Sequence, residues 1–252
     1  EITLLGQNVN AYNYTDGKKI FKLSDLIFQL QDLGGLKRIR YTTSHPKDMT
    51  KDLIHCYRNA TKLMPLLHLP VQSGSNNILK SMNRKHSREE YLARIRDLIK
   101  IRPDMKFSSD FIIGYPGETE QDFLETISLV KEVNFINSFS FIYSPRPGTP
   151  AANIDMVDQK IQKERLRILQ ALLEDIQKKQ NGSKVGKLKE VLVENRLKNQ
   201  NRHFGRTRDL TPVILSEADD SDIGNLVSVK IEKYNQNSLF GIKKTIKNEV
   251  AA

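Results

Sequence analysis

Taken at every second position, five short apolar segments carry side chains suited to holding a polar ligand rather than filling a core. The sets are Thr3, Leu5 and Gln7; Arg40, Thr42 and Ser44; His68, Pro70 and Gln72; Ser108, Asp110 and Ile112; and Ser138, Ser140 and Ile142. The intervening set is mostly apolar: Ile39 and Tyr41; Leu67, Leu69 and Val71; Ser109, Phe111 and Ile113; Phe139, Phe141 and Tyr143. Strand side chains alternate with a period of two, so each set lines one side of a sheet. A packed barrel interior normally holds Val, Ile and Leu, whereas this face offers hydroxyls, amides, a cation and an anion. A buried charge is costly unless paired. Arg40 and Asp110 are therefore candidates for a mutual ion pair in a polar lumen, with Asp110 part of a site. The alternative is an open sheet with this face in solvent.

In parallel α/β folds, ligands bind beyond the carboxyl ends of the strands. The unusual residues fall there: GQNVNAY after the first segment, TSHP after the second, PVQSGS after the third, GYPGET after the fourth and SPRPGTPAA after the fifth. Glycines let backbone approach a ligand and prolines stiffen the loops. One such loop could be a mere connector; five in register point to a site.

These loops need elements to position them. Strands are expected at Ile2–Leu5, Arg38–Thr42, Leu66–Val71, Phe107–Ile113 and Ser138–Tyr143, alternating with helices near Ser24–Asp32, Thr50–Ala60, Asn76–Met82, Arg88–Ile101 and Glu120–Glu132. Ser24 and Ser87 are candidate N-caps, Ser87 with Glu90 and Thr119 with Asp122 in box-like arrangements. Such alternation implies βαβ units on a parallel sheet. A long charged helix follows over Val157–Gln180, its apolar stripe Ile161, Leu166, Leu169, Leu172, Leu173 and Ile176 suited to packing on the preceding domain. NGSKVG, residues 181 to 186, reads as a linker. Beyond it, short strands at Lys189–Glu194, Thr211–Leu215, Leu226–Lys233 and Ser238–Lys244 suggest a small all-β barrel. The expected fold class is thus α/β, a partial parallel (β/α) barrel over residues 1–182, then a β-barrel over 183–247 and a tail over 248–252.

The chain of 252 residues carries a net charge of +10, which favours an anionic partner, with nucleic acid first; a generally basic protein is the alternative. No apolar run approaches the length of a membrane span, and no secretory signal opens the sequence. One cysteine, Cys56, excludes an internal disulfide and a multi-cysteine metal site, and suits a reducing, cytoplasmic setting. Glu1 is not an initiator methionine and Ile2–Leu5 reads as a buried strand with nothing before it, so a truncation within a domain is expected. In the β-barrel region, Arg196, Lys198, Arg202, Arg206 and Arg208 cluster with Asn199, Asn201, His203 and Phe204, while SEADDSD, residues 216 to 222, gathers acids on what is read as the opposite loop. This is either a phosphate-tracking surface, with Phe204 free to stack on a base, or a solvated basic loop. His55 and His203 are read as surface residues.

The loops LLGQNVNAY, TTSHP, LHLPVQSGS, SSDFIIGYPGET and RPGTPAA, in this order, resemble those of the radical S-adenosylmethionine methylthiotransferases. QNVNAY and TSHP resemble the subgroup acting on isopentenylated adenosine in tRNA, and Ser183 to about Lys247 resembles its RNA-binding TRAM domain. The resemblance implies S-adenosylmethionine as cofactor and tRNA as partner, with cleavage to a 5′-deoxyadenosyl radical followed by sulfur and methyl installation on an adenine carbon. It implies two 4Fe–4S clusters in the whole enzyme. One sits on a Cys-x-x-x-Cys-x-x-Cys loop and one on three cysteines of an N-terminal domain, and neither set is present here. Iron–sulfur clusters need thiolates, and Cys56 matches no family ligand; it is read as a buried structural residue.

By that resemblance, Gln7 and Asn8 lie where the methionine amino group is met. Ser44, Gln72 and Ser73 offer groups for ribose and carboxylate, the backbone of Ile112 to Gly114 lies against adenine, and Asp110 is counted among the cofactor-binding residues. Arg84 either pairs with the methionine carboxylate or stays solvated, Glu118 braces its turn or caps the helix it leads into, and His45 and Arg146 are candidates for the modified adenosine. A monomer is expected. Two other readings are an RNA-binding module without catalysis, and a methylthiotransferase for another substrate such as threonylcarbamoyladenosine tRNA.

Overall fold

Parallel strands pair in sequence order at the start of the chain because each apolar run is followed by a helix that carries the chain back over the same face. The computed structural model describes residues 1–198 and 200–244; Asn199 and the stretch 245–252, with the end of the expected second domain and the tail, lie outside the described residues. The chain divides into two units, Glu1–Leu173 and Glu174–Ala252.

In the first unit, β1 (Ile2–Leu4) pairs in parallel with β4 (Ile39–Tyr41), and a bridge from Ile39 to Leu63 leads towards β5 (Leu66–His68). β5 pairs with β6 (Lys106–Ser108), a bridge joins Gln72 to Phe111 of β7 (Asp110–Ile113), and β7 pairs with β8 (Phe139–Ile142). Ser109 separates β6 from β7: its hydroxyl accepts from the Val71 amide (2.9 Å), where a ladder bond would otherwise run. Among the described residues β8 does not pair back to β1, so the barrel is partial. The connecting helices are α1 (Leu23–Gln31), α2 (Lys51–Asn59), α3 (Asn76–Ser81), α4 (Arg88–Ile101) and α5 (Glu120–Val133). Ser87/Glu90 and Thr119/Asp122 form the expected capping boxes. Ser24 does not cap α1: it lies inside the helix and donates to Asp52 Oδ2 (2.8 Å), while Lys22 is the cap and its amide bonds Asp25 Oδ2 (2.7 Å). A hairpin absent from the sequence reading, β2 (Asn13–Asp16) with β3 (Lys19–Lys22), rises from the first loop.

The two faces differ as the alternation requires. Ile39, Leu67, Phe111 and Ile113 are all 0% exposed, whereas the side chains of Arg40, His68 and Asp110 keep 31%, 22% and 31% exposure. The expected Arg40–Asp110 pair does not form. Arg40 Nε bonds Glu1 Oε1 (2.9 Å), and Asp110 faces His68 Nε2 (3.6 Å). The reason is strand order: β5 stands between β4 and β7, so the two charges are not on neighbouring strands. Phe139 and Phe141 also depart from expectation. They stand 59% and 55% exposed because β8 ends the sheet and is paired on one side only.

The final helix, α6 (Gln159–Gly182), buries Leu169 and Ile176 but leaves Ile161 46% exposed; Gln162 and Arg165 take the buried positions at its start. Among the described residues no helix is long and apolar enough to cross a membrane.

In the second unit β9 (Leu188–Arg196), β10 (His203–Thr207), β11 (Pro212–Ser216), β12 (Leu226–Tyr234) and β13 (Leu239–Lys243) close a barrel in the order β10-β11-β13-β12-β9. Val191, Val193, Val213, Leu215, Val229, Ile231 and Leu239 fill it, contributed from alternate positions. Gly205 sits at a bulge of β10 where an added Cβ would lie 2.3 Å from the Leu192 carbonyl oxygen, so only glycine lets the strands close. Lys184 Nζ is buried against Asp209 Oδ2 (2.6 Å). Burial works to raise the Asp209 carboxyl, but the Lys184 charge and hydrogen bonds from Lys184, Thr207 and Thr211 outweigh it and hold it below its usual value.

Candidate functional site

The loops at the carboxyl ends of the parallel strands hold one another. Val9 N donates to Thr43 O (2.9 Å); Asn10 Nδ2 donates to His45 O (2.9 Å) and its Oδ1 accepts from His45 N (2.8 Å). The first and second loops are therefore one fastened structure. Thr43 (φ +59°) and Gln72 (φ +75°) both adopt the left-handed conformation without being glycine. Such strain persists only where surrounding contacts over-determine it, and it gathers at binding sites.

Several buried polar atoms of these and neighbouring segments have no partner. Asn8 donates through Nδ2 to Asp48 Oδ2 (2.7 Å), but its buried Oδ1 has no partner. Ser44 Oγ, both ring nitrogens of His86 and the Tyr143 hydroxyl are likewise buried and unpartnered. Most buried polar atoms in proteins are hydrogen-bonded, and each orphan costs about 1–3 kcal/mol. These residues come from the loops after β1 and β4, the loop between α3 and α4, and the end of β8. Unpartnered amide, hydroxyl, imidazole and phenol groups are open to a polar ligand.

Charge collects beside them. His45 and His86 meet edge to face with ring centroids 5.6 Å apart, and His86 approaches Tyr91 at 6.2 Å. Burial, then the nearby His45 and Arg84 charges, push His86 down to about 4, so its imidazole is neutral at neutral pH. Burial lowers Arg84 as well, opposed by the charge of Asp110. His68 Nδ1 contacts Ser108 Oγ (2.9 Å) while its other nitrogen faces Asp110. A recess of about 340 Å³ opens at Arg84 and His86, lined also by Asn76, Lys80, Asn83 and Glu90.

The residues named from the sequence separate into groups. Asn8, Ser44, His45, Arg84 and Asp110 stand on the linked loops or share their electrostatic field. Gln7 and Arg146 are exposed. Gln72 is buried at its strained position, its amide donating to Asp110 O (3.0 Å) and its carbonyl accepting from Ile112 N (2.9 Å). Ser73 is turned to the fold: its hydroxyl meets Thr126 Oγ1 (3.3 Å) on α5 and accepts from Ser75 N (3.2 Å). Gly114 (φ +70°) is covered by α6, because an added Cβ would fall 2.5 Å from Gln162 Cγ, so its missing side chain serves that packing. Glu118 braces the turn as read, accepting from Gly114 N (3.0 Å). His86 and Tyr143 carry no motif signal in the sequence. Position 86 lies two residues from Arg84, and Tyr143 sat in the apolar alternation, where its hydroxyl gave no periodic signal.

Among the described residues no group of three His, Cys, Asp or Glu could hold a metal ion. Cys56 is buried on α2, its thiol pushed up to about 12 by burial and then by Asp52 and Asp25, and it donates weakly to Asp52 O (3.4 Å). These residues do not fit an iron–sulfur cluster.

The basic stretch of the second unit is part strand rather than loop. β10 turns Phe204 and Arg206 outward and His203, Gly205 and Thr207 inward. Arg206 lies over the Phe204 ring (4.9 Å) and is ion-paired with Glu194. His203, expected at the surface, is 2% exposed and bonds Asp220 Oδ1 (2.9 Å), while the other oxygen of Asp220, Oδ2, faces Arg196 Nη1 (3.5 Å). The acidic loop therefore lies beside the basic stretch and not opposite, because β10 and β11 are neighbours and 216–222 directly follows β11. Lys198 and Arg202 remain exposed, and a shallow recess of about 560 Å³ is lined by Arg196, Leu197, Lys198, Gln200 and Asn201. Arg208 is half-buried.

Comparison with known proteins identifies two families along the chain. Residues 1–130 match the radical SAM superfamily and residues 182–244 the TRAM domain. The chain is 57% identical over 252 residues to tRNA-2-methylthio-N(6)-dimethylallyladenosine synthase of Pelagibacter ubique, covering 100% of this chain and 56% of that protein. It is 48% identical to the protein of that name from Bartonella bacilliformis (96% of this chain, 53% of that protein) and 50% identical to the one from Rickettsia akari (96% and 55%). The chain spans about half the length of these relatives. With its partial parallel barrel and a family match over more than half its residues, the chain belongs to the radical SAM superfamily.

Proposed function

We propose that this chain is the S-adenosylmethionine- and tRNA-binding portion of a tRNA methylthiotransferase that modifies carbon 2 of isopentenylated adenosine. The observation that carries the reading is the set of unpartnered buried atoms, Asn8 Oδ1 and Ser44 Oγ on the linked loops after β1 and β4, with the His86 ring beside His45. The names of relatives at 48–57% identity supply the reaction class. S-adenosylmethionine, when bound, supplies the radical and methyl-transfer chemistry of such enzymes. In this chain Asn8 and Ser44 would hold its polar groups, Arg84 would face its carboxylate, and the linked first and second loops would fix its orientation. The two 4Fe–4S clusters of the whole enzyme require thiolates other than Cys56. The second unit would grip tRNA through Lys198 and Arg202, as a monomer in the cytoplasm.

Ser44→Ala tests the site on the chain itself. Removing an unpartnered buried hydroxyl should leave unfolding stability unchanged or raise it, while weakening S-adenosylmethionine binding several-fold in equilibrium dialysis, the worth of one hydrogen bond. Unchanged binding with unchanged stability would refute the assignment.

A further inference from the structure

The β2–β3 hairpin belongs to no part of the site described above, and its surface is unusual. It projects from the first loop through the two-residue turn Gly17–Lys18, with Gly17 at φ +59° as in a type II′ hairpin. Residues 11–20 are all exposed, including Tyr12 (41%), Tyr14 (55%) and Ile20 (60%). Exposed cross-strand pairs stabilise such a ribbon by at most about 1 kcal/mol, so side chains this apolar are not needed to hold its fold. Tyr14 and Phe21 are directly opposite in register, so they share a face, and their rings lie 6.4 Å apart at 33°. Lys19 shares that face with its ammonium 4.5 Å from the Phe21 centroid. Lys18 occupies the tip, and among the described residues neither Lys18 nor Lys19 has a carboxylate within ion-pair distance, although Asp16 is opposite Lys19 in register. Lys22, at the base, lies near enough to Asp52 to influence its carboxyl.

The ribbon's position is fixed by the candidate site. Asn10, between Asn8 and β2, is buried and bonded twice to the His45 backbone. The hairpin thus springs from the loops at the strand ends, where a substrate must arrive. Exposed aromatic faces with uncompensated lysines are the chemistry that holds unpaired nucleotides: bases stack on rings, and ammonium groups meet phosphates. An apolar protein partner would leave the lysines at 18 and 19 to be desolvated without counter-charge.

We propose that the β2–β3 hairpin is a second RNA-contact element, stacking an unpaired loop nucleotide on Tyr14, with Tyr12 beside it, and neutralising phosphates through Lys18 and Lys19. This deepens the tRNA reading and rests on it. Its consequence is that the first unit holds loop RNA by itself, independently of the basic stretch around Arg202.

The test uses the full 252-residue chain and two synthetic RNAs, a stem-loop and a fully paired duplex of the same stem. Because the hairpin side chains are exposed, Tyr12→Ala with Tyr14→Ala, and separately Lys18→Gln with Lys19→Gln, should keep the parent's thermal midpoint. The tyrosine variant should bind the stem-loop roughly 5- to 150-fold more weakly, the equivalent of stacking one base, with duplex affinity unchanged. The lysine variant should flatten the slope of log affinity against log salt by about 1.4, at about 0.7 for each single-stranded phosphate. A 4-thiouridine in the loop should photo-cross-link to the peptide containing Tyr14. If neither RNA binds the parent chain, the tRNA reading falls and takes this inference with it. If the parent binds and both variants bind equally well, only the hairpin assignment is overturned, and its apolar face serves a protein contact.

Discussion

Arg165 on α6 and Glu118 in the turn after β7 form a buried ion pair, Nη1 to Oε2 at 2.9 Å, with side chains 8% and 1% exposed. The same Glu118 oxygen accepts from Gly114 N, and Arg165 also donates to the Glu118 carbonyl (3.1 Å) and to Glu120 Oε2 (3.1 Å). Its guanidinium lies over Phe123, 5.6 Å from the ring centroid. One arginine thus ties the long helix to the GYPGET turn.

Arg165→Met should destabilise the first unit strongly, because Glu118 is left as an unpaired buried carboxylate, a situation that costs about 3–5 kcal/mol. Glu118→Gln combined with Arg165→Met should recover much of that loss, since the amide can still accept from Gly114 N. Urea unfolding of the two variants measures the difference, and equal midpoints would mean that the charge of Glu118 is not the cause.

Gly114→Ala should be destabilising for two separable reasons. The φ of +70° disfavours any side chain, by about 1–2 kcal/mol, and the new methyl meets Gln162 Cγ. Adding Gln162→Ala should relieve the contact but not the backbone cost. Thermal midpoints should therefore rank parent, double variant, single variant.

His86 predicts a pH dependence. Its imidazole is held down to about 4 in the folded chain by burial, His45 and Arg84, while in the unfolded chain it titrates near the ordinary histidine value. Between those values the unfolded state binds the extra proton, so stability rises with pH and is lost as pH falls from about 6.5 towards 4. The His86 contribution to the slope reaches at most about 1.4 kcal/mol per pH unit. Denaturant unfolding at pH 7 and pH 5 should show a smaller loss for His86→Phe than for the parent.

In the second unit, Lys198→Ala with Arg202→Ala should flatten the salt slope of tRNA binding by about 1.4–1.8, at 0.7–0.9 per phosphate contact. Arg206→Ala should change it less, because Glu194 already neutralises that guanidinium. A larger effect from Arg206 would reverse the assignment of these side chains.

The alternation of Ile39, Leu67, Phe111 and Ile113 with Arg40, His68, Asp110 and Ile112 was legible because strand faces depend on local period alone. The helices after the strands, and the caps at Ser87 and Thr119, were legible for the same reason. The sequence by itself determined the order of strands and helices, the polar face, the loops that could hold a ligand and the closed barrel at the end. Hairpin β2–β3 is not legible because its adjacent apolar residues Ile20 and Phe21 fall on opposite faces, and β10 because Phe204 points outward while His203 and Thr207 point inward, so neither shows a hydrophobic alternation. Only the tertiary structure decided which charges meet. Arg40 turned to Glu1 and Asp110 to His68, His203 was buried on Asp220, and Gly114 was packed under Gln162. Partnership between side chains depends on which strands become neighbours and on which residue of a distant helix arrives there, and periodicity along the chain carries no information about either.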